Sequence, residues 1–324
     1  MVPFVIRRVP WTIPVIFVVV TMIFFLMRSI GGDPLRHGPL VGLTSAGGWK
    51  KYGDYQPESI RRNQLHKFGL DLPWYEQYMN YLEGVVRFDY GPSLTFRDRS
   101  VNEILKEQTP SSLELAALSL AWALVLGIPL GVIAAFRHGS ALDGVIRFLS
   151  GAGLALPVFL VATLLVYFLS LKLGLFPTNG WTQGWRYKVL PSFALGLLPL
   201  AVCIRLVRGA TIETMQEEYV VAARGRGLRR RRVLGVHVLR NSLLPVLTVV
   251  GPMLGYLVTG SFVIETLFSV PGISRFYVAS VLARDYTVVL GITVLMAVMI
   301  IVANLLVDIA HAFLDPRVRT RIAA

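Results

Sequence analysis

Cysteine is nearly absent. Cys203 is the only one in 324 residues and it stands inside an apolar run, so the chain closes no internal disulfide and builds no cysteine-based metal site. Charge is scarce too. Only 16% of residues are Asp, Glu, Lys or Arg, against 54% with apolar side chains, and the mean hydropathy is +0.61, well outside the range of a soluble domain. No G-x-x-x-x-G-K-[ST] phosphate loop occurs, so nucleotide hydrolysis is not this chain's own chemistry. His37, His66, His138, His237 and His311 are scattered, with no HExxH or comparable ligand spacing. A G-x-S-x-G nucleophile elbow is also missing, which leaves no catalytic cluster for a membrane enzyme. Acids at membrane depth are few: Glu265 and Asp308 lie near the ends of apolar runs, where snorkelling or pairing with an arginine is expected of them. A proton-coupled carrier would need acids placed deeper.

What is present is a series of apolar runs. They predict an all-α integral membrane protein with six transmembrane helices at about Val9–Met27, Leu113–Ala135, Ile146–Leu171, Val189–Leu206, Leu243–Leu267 and Val288–Phe313. Arg7 and Arg8 precede the first run, which lacks a small-x-small cleavage site and reads as an uncleaved span. Thr109-Pro110-Ser111-Ser112 is a helix-start signal ahead of the second span. Gly151, Gly153 and Pro157 predict close packing and a local kink in the third. Trp181, Trp185 and Tyr187 in the following outer loop fit an interfacial aromatic belt, and a short helix is expected over 273–284 in the last outer loop. The chain thus divides into an N-terminal span (1–31), an extracytoplasmic module (32–109) and a five-helix core (110–324). Within the module, Trp74, Tyr75, Tyr78, Met79, Leu82 and Val85 recur at helical spacing, as a packing stripe or as a docking face for an external partner.

Arginine placement orients the whole. Arg7, Arg8, Arg137, Arg147, the arginines between 224 and 240, and Arg317, Arg319 and Arg321 fall on one side, which the positive-inside bias makes cytoplasmic, with both termini there. The same topology accounts for the net charge of +13, so nucleic acid is not an expected partner.

The polar interruption from Arg205 to Pro245 is the most informative stretch. The spacing predicts a helix over 216–226 with Tyr219, Ala222, Ala223 and Arg226 on one exposed face, closed by Gly227 in a left-handed conformation. Two alanines on that face would let a partner approach closely. A basic amphipathic helix lying on anionic lipid is an equally open reading of the residues alone.

The same stretch resembles the EAA loop of importer-type ABC transporter permeases, whose pattern is E-A-A, three residues, G, nine residues, then I-x-L-P. Ala222, Ala223, Gly227 and Leu239 match it; Val221 stands at the glutamate position, and His237 and Arg240 at the isoleucine and proline positions. These departures, together with GGDP at 31–34, FGLDLPWYEQYMNYL at 68–82, SSLELA at 111–116, ETLFSVPGI at 265–273 and the terminal DPRVR, are similar to the oligopeptide/dipeptide (OppB/DppB-like) branch. Residues 40–55 depart from that branch's spacing and resemble an enlarged outer module. The resemblance implies a type I ABC importer permease fold in the bacterial cytoplasmic (inner) membrane. It implies a second permease subunit (OppC/DppC-like), two cytoplasmic ATPases that carry ATP and Mg, an extracytoplasmic peptide-binding protein, and membrane lipid. It also implies a coupling loop over 209–242 in which Glu217, Glu218, Tyr219, Ala222, Ala223, Arg226 and Gly227 meet an ATPase. It implies no catalytic, cofactor or metal residues in this chain. Nickel or another small solute is the alternative cargo, and a motor-independent channel or secondary carrier the alternative of another class.

Overall fold

A peptide backbone in hydrocarbon must satisfy its own hydrogen bonds, and a helix does so within one segment. In the computed structural model, which describes residues 2–29, 62–63, 65–66, 68–96, 99–228, 232–259 and 261–314, the regular structure is helical apart from one antiparallel bridge between Pro92 and Ser100. In chain order the helices are α1 (Val2–Ser29), α2 (Trp74–Arg87), α3 (Val101–Phe136), α4 (Ala141–Ala155), α5 (Val158–Lys172), α6 (Trp185–Gln216), α7 (Glu218–Gly225), α8 (Leu239–Thr259), α9 (Phe262–Leu267), α10 (Ile273–Ala283) and α11 (Tyr286–Leu314). Among the described residues, α1, α3, α6, α8 and α11 are each long and apolar enough to cross a membrane. The pair α4–α5 makes a sixth span if the two are taken together.

The run expected as the third span is broken rather than kinked, since α4 and α5 meet at 110°. The cause is Pro157, which has no N–H to give and forces the preceding residue out of the helical region. Leu156 accordingly sits at φ −83°, ψ 131°. The second span also differs from expectation: the Thr109-Pro110-Ser111-Ser112 signal starts nothing, and α3 begins at Val101 and runs through it. A reciprocal capping box decides the start, Ser100 Oγ accepting from the Glu103 amide at 3.2 Å and Glu103 Oε2 from the Ser100 amide at 3.0 Å. The Ser112 hydroxyl accepts the Ile273 amide at 2.8 Å instead.

The chain forms two compact units. The first comprises residues 1–5, 113–270 and 300–324. Its closest helix contacts use two G-x-x-x-G pairs that let backbones meet without intervening side chains. In α3, a Cβ on Gly131 would lie 2.7 Å from that of Val207 in α6, and one on Gly127 2.9 Å from Cys203 Sγ. In α8, one on Gly255 would lie 2.8 Å from Ile300 of α11, and Gly251 faces Asn304. Gly196 of α6 completes the first seam, where a Cβ would sit 2.6 Å from the Ser119 carbonyl oxygen. Of the two glycines expected to pack, Gly153 does, its missing Cβ lying 3.4 Å from that of Ala201 in α6, whereas Gly151 faces open space. Gly196→Ala is therefore expected to lower the melting temperature of the purified protein, at a cost of about 1–3 kcal/mol from overpacking, whereas Gly151→Ala leaves it unchanged. Equal melting of the two variants would contradict the seam.

Cys203 packs with Val207 and Val246 as a small apolar side chain. Trp181 does not join an interfacial belt. It is buried, and the Lys188 ammonium, itself paired with Glu114, stands 5.2 Å from its ring centroid. Trp185 is exposed, as a belt residue should be.

The second unit comprises residues 6–112 and 271–299. Its core is Val101, Ile104, Ile273, Phe276, Val288 and Ile292, and the short helix expected in the last outer loop, α10, is part of it. The aromatic stripe of α2 divides. Tyr78 packs on Phe24 of α1 with ring centroids 5.1 Å apart and shares a 2.7 Å hydrogen bond with the Thr21 hydroxyl, whereas Trp74, Tyr75 and Met79 are exposed. A cavity of about 290 Å³ beside this contact is lined in part by Phe24, Arg28, Tyr81, Asp89 and Leu290. Burial pushes the Tyr81 phenol well above its ordinary range, so it stays neutral there.

Candidate functional site

The basic stretch folds as the end of one long helix, a corner, and a short second helix. α6 runs unbroken to Gln216, and Glu217 then turns extended at ψ 140°. Its carbonyl accepts from the Val220 amide at 2.9 Å and the Val221 amide at 3.1 Å, which starts α7 one residue after the corner. Glu217 and Glu218 stand at the positive end of the α7 dipole, where carboxylates are favoured. At the other end Gly227 has φ +74°, the left-handed conformation expected of it. The Leu228 amide reaches back to the Ala223 carbonyl at 3.4 Å, the long bond of a Schellman cap, and Leu228 packs beneath the helix.

The expected face is where structure and expectation part. Val220 and Ala223, one turn apart, are buried together against Val233 and Val238 of the returning chain. Ala223 is 6% exposed and belongs to this inner edge, not to an outer face with Tyr219, Ala222 and Arg226. The physical reason is that apolar cover arrives from residues 233–238, whose position the local spacing of α7 does not contain. Glu217, Glu218, Tyr219, Val221, Ala222, Arg226 and Gly227 are exposed. The outward rim is thus Tyr219, Val221, Ala222 and Arg226, set on an apolar footing. The Asn241 amide donates to the Tyr219 hydroxyl and ties the rim to the start of α8. Most of the arginine run, 229–231, lies outside the described residues, as do GGDP at 31–34, the enlarged segment at 40–55, the three terminal arginines and the side chain of Asp308.

Glu265 is not a snorkelling residue. It is 0% exposed and its carboxylate accepts the Ser261 hydroxyl at 2.7 Å. Asp143, another buried acid and 1% exposed, receives the Arg208 guanidinium in a two-pronged contact at 2.7 and 2.9 Å. Its sequence signal is weak, since Ser140-x-x-Asp143 reads as an ordinary helix cap and Arg208 as one more arginine of a basic stretch.

Residues 127–320 match the family described as "Binding-protein-dependent transport system inner membrane component". Over 304 residues the chain is 36% identical to the dipeptide transport system permease protein of Bacillus subtilis (strain 168), covering 94% of each chain. It is 35% identical over 320 residues to the oligopeptide transport system permease protein of Escherichia coli (strain K12), covering 98% of this chain and 100% of that one. Among solved structures it resembles a chain of an amino acid ABC transporter crystallised with histidines, at a TM-score of 0.51 and 15% identity over 65% of this chain and 94% of that one. It also resembles a chain of the inward-facing MetNI methionine ABC transporter, at 0.50 and 16% over 68% and 96%. At such identities the structural likeness is one of fold.

Proposed function

The chain belongs to the family of binding-protein-dependent transport system inner membrane components, with the type I importer fold, and on that footing we propose that it is the permease subunit through which an ABC importer passes oligopeptides or dipeptides. It works as one of two permeases. Two cytoplasmic ATPases, which bring ATP and Mg, drive it, and an extracytoplasmic peptide-binding protein delivers the cargo. The basic stretch and both termini lie in the cytoplasm, following the arginine asymmetry.

The observation that carries this reading is the α7 rim. An eight-residue helix, joined by a single corner residue to a 32-residue helix, presents Tyr219, Val221, Ala222 and Arg226 outward while Val220 and Ala223 hold it to the returning chain. A knob so anchored transmits displacement as a rigid body, whereas a helix resting on lipid needs no apolar footing on its protein side. ATP-driven closure of the motor pair moves α7, and with it α6 and α8, toward the outward-open arrangement; hydrolysis returns them. Only a motor that favours one arrangement over the other shifts this equilibrium.

Proteoliposomes decide the matter. With the partner permease, both ATPases and the binding protein present, ATP inside is expected to drive uptake of a labelled tripeptide, and this chain reconstituted by itself is expected to move none. Uptake by the isolated chain, down a gradient or with protons, would replace this reading with a channel or carrier. Competition by a nickel chelate and not by peptides would change the cargo and leave the rest.

A further inference from the structure

We propose that the Asp143–Arg208 contact is a positioning pair that passes movement of α7, through α6, to the broken span α4–α5; this rests on the reading of α7 as the motor's docking knob. The site is built from the turn before α4. Ser140 Oγ caps the helix by accepting the Asp143 amide at 3.3 Å, and Asp143 Oδ2 accepts the Gly139 amide at 3.1 Å, which fixes the carboxylate in its direction. Arg208 then meets it with Nε on Oδ1 at 2.7 Å and Nη2 on Oδ2 at 2.9 Å. Arg147, a turn further along α4 and largely exposed, stands 3.9 Å away and adds charge without a close bond.

Three features separate this pair from ordinary packing. The remaining α4–α6 seam near it is apolar, with Ile146 against Ile204 and Leu200, and apolar contact is non-directional, so it does not by itself set one register. A planar guanidinium gripping both carboxylate oxygens holds distance and angle together, and so resists sliding. A buried ion pair is also a poor source of stability, because desolvation offsets most of its attraction; geometric register is the better account of its presence. Its location suits that role. Arg208 lies about two helical turns, roughly 12 Å, before the end of α6 at Gln216. The partner helix α4 is the inner arm of the span that bends by 110° at Leu156. A displacement delivered at the corner reaches Arg208 along a continuous helix and is handed to α4 at the fork.

The test uses the complete transporter in proteoliposomes and reads peptide uptake per ATP hydrolysed. Arg208→Lys keeps the charge and removes the second prong; Asp143→Ala removes the partner. Both are expected to retain ATPase activity stimulated by the binding protein while uptake per ATP falls about threefold to thirtyfold, the range over which residues between two sites alter their coupling. The reversed pair, Asp143→Arg with Arg208→Asp, is expected to recover part of that loss. A ratio unchanged within about twofold, or ATPase and uptake falling together with the amount of assembled complex, overturns the proposal. Should Asp143→Ala fail to assemble, Arg208→Lys carries the decision, since it leaves no unpaired buried charge. Failure of the unmodified complex to take up peptide would remove the importer reading itself; an unmodified complex that transports, beside variants of unchanged ratio, removes only the fork.

Discussion

Ala222→Trp is expected to abolish ATP-driven uptake in a permease that still inserts and melts normally, whereas Ala223→Trp is expected to damage the permease itself. The two alanines are neighbours in sequence and stand on opposite sides of one boundary. Ala222 lies on the rim between Tyr219 and Arg226, so an indole there projects outward and obstructs an approaching partner without touching the chain's own core. Loss of a central contact of this kind costs about 2–4 kcal/mol of association, roughly 30-fold to 1,000-fold in affinity. Copurification of the ATPases with the Ala222→Trp permease, measured against the parent, reads it directly; undiminished copurification would remove α7 as the docking site. Ala223 instead packs with Val220, Val233 and Val238, where an indole has no room. Overpacking of about 1–3 kcal/mol should appear there as a lowered melting temperature before any partner is added. Gly227 provides a third comparison. Nothing lies within 4 Å of the Cβ it lacks, so a valine would fail only through its positive φ, a penalty of about 1–2 kcal/mol.

The second large effect belongs to the second unit. Asp285 is 0% exposed, and its carboxylate accepts the Ser93 hydroxyl, the Thr95 amide at 2.9 Å, the Thr287 hydroxyl at 2.8 Å and the Val288 amide at 3.2 Å. One side chain thus caps α11, follows the left-handed turn at Arg284 that ends α10, and holds the segment 93–96 against both. The arrangement is cooperative, because the Ser93 oxygen that donates to Asp285 accepts in turn from the Thr95 and Phe96 amides. Asp285→Ala strands several buried donors at once. With each orphaned group costing about 1–3 kcal/mol, the sum is expected to exceed 3 kcal/mol and to show as a lower melting temperature and faster proteolysis of the unit. Asp285→Asn keeps the volume and one acceptor oxygen and should lose less. An Asp285→Ala protein that melts with the parent would mean the unit is held by its apolar cluster alone.

Much of this was legible in the residues because it is local. An apolar run long enough to cross a bilayer remains so whatever surrounds it, which is why the expected spans lie within the observed helices or the α4–α5 pair, apart from the end of the fifth. The left-handed end of α7 at Gly227 and the helix α10 between two turns follow from the same short-range chemistry. What the local pattern missed involved residues far apart. Which alanine of the α7 pair turns inward depended on Val233 and Val238. Trp181 is buried beside Lys188, whose partner Glu114 lies 74 positions away. The start of α3 is the exception, a local capping box of Ser100 with Glu103 upstream of a more conspicuous proline. Asp143 and Arg208 are 65 positions apart, so no periodicity pairs them.

Hydropathy, helix caps and arginine counts act within a few residues, and a helical membrane chain, its apolar runs, its charge asymmetry and the place of its basic corner all follow from them. Tertiary structure alone decided which face of that corner looks outward and which buried acid grips which arginine. Burial and ion pairing are properties of neighbours in space, and the chain supplies those neighbours only when it is folded.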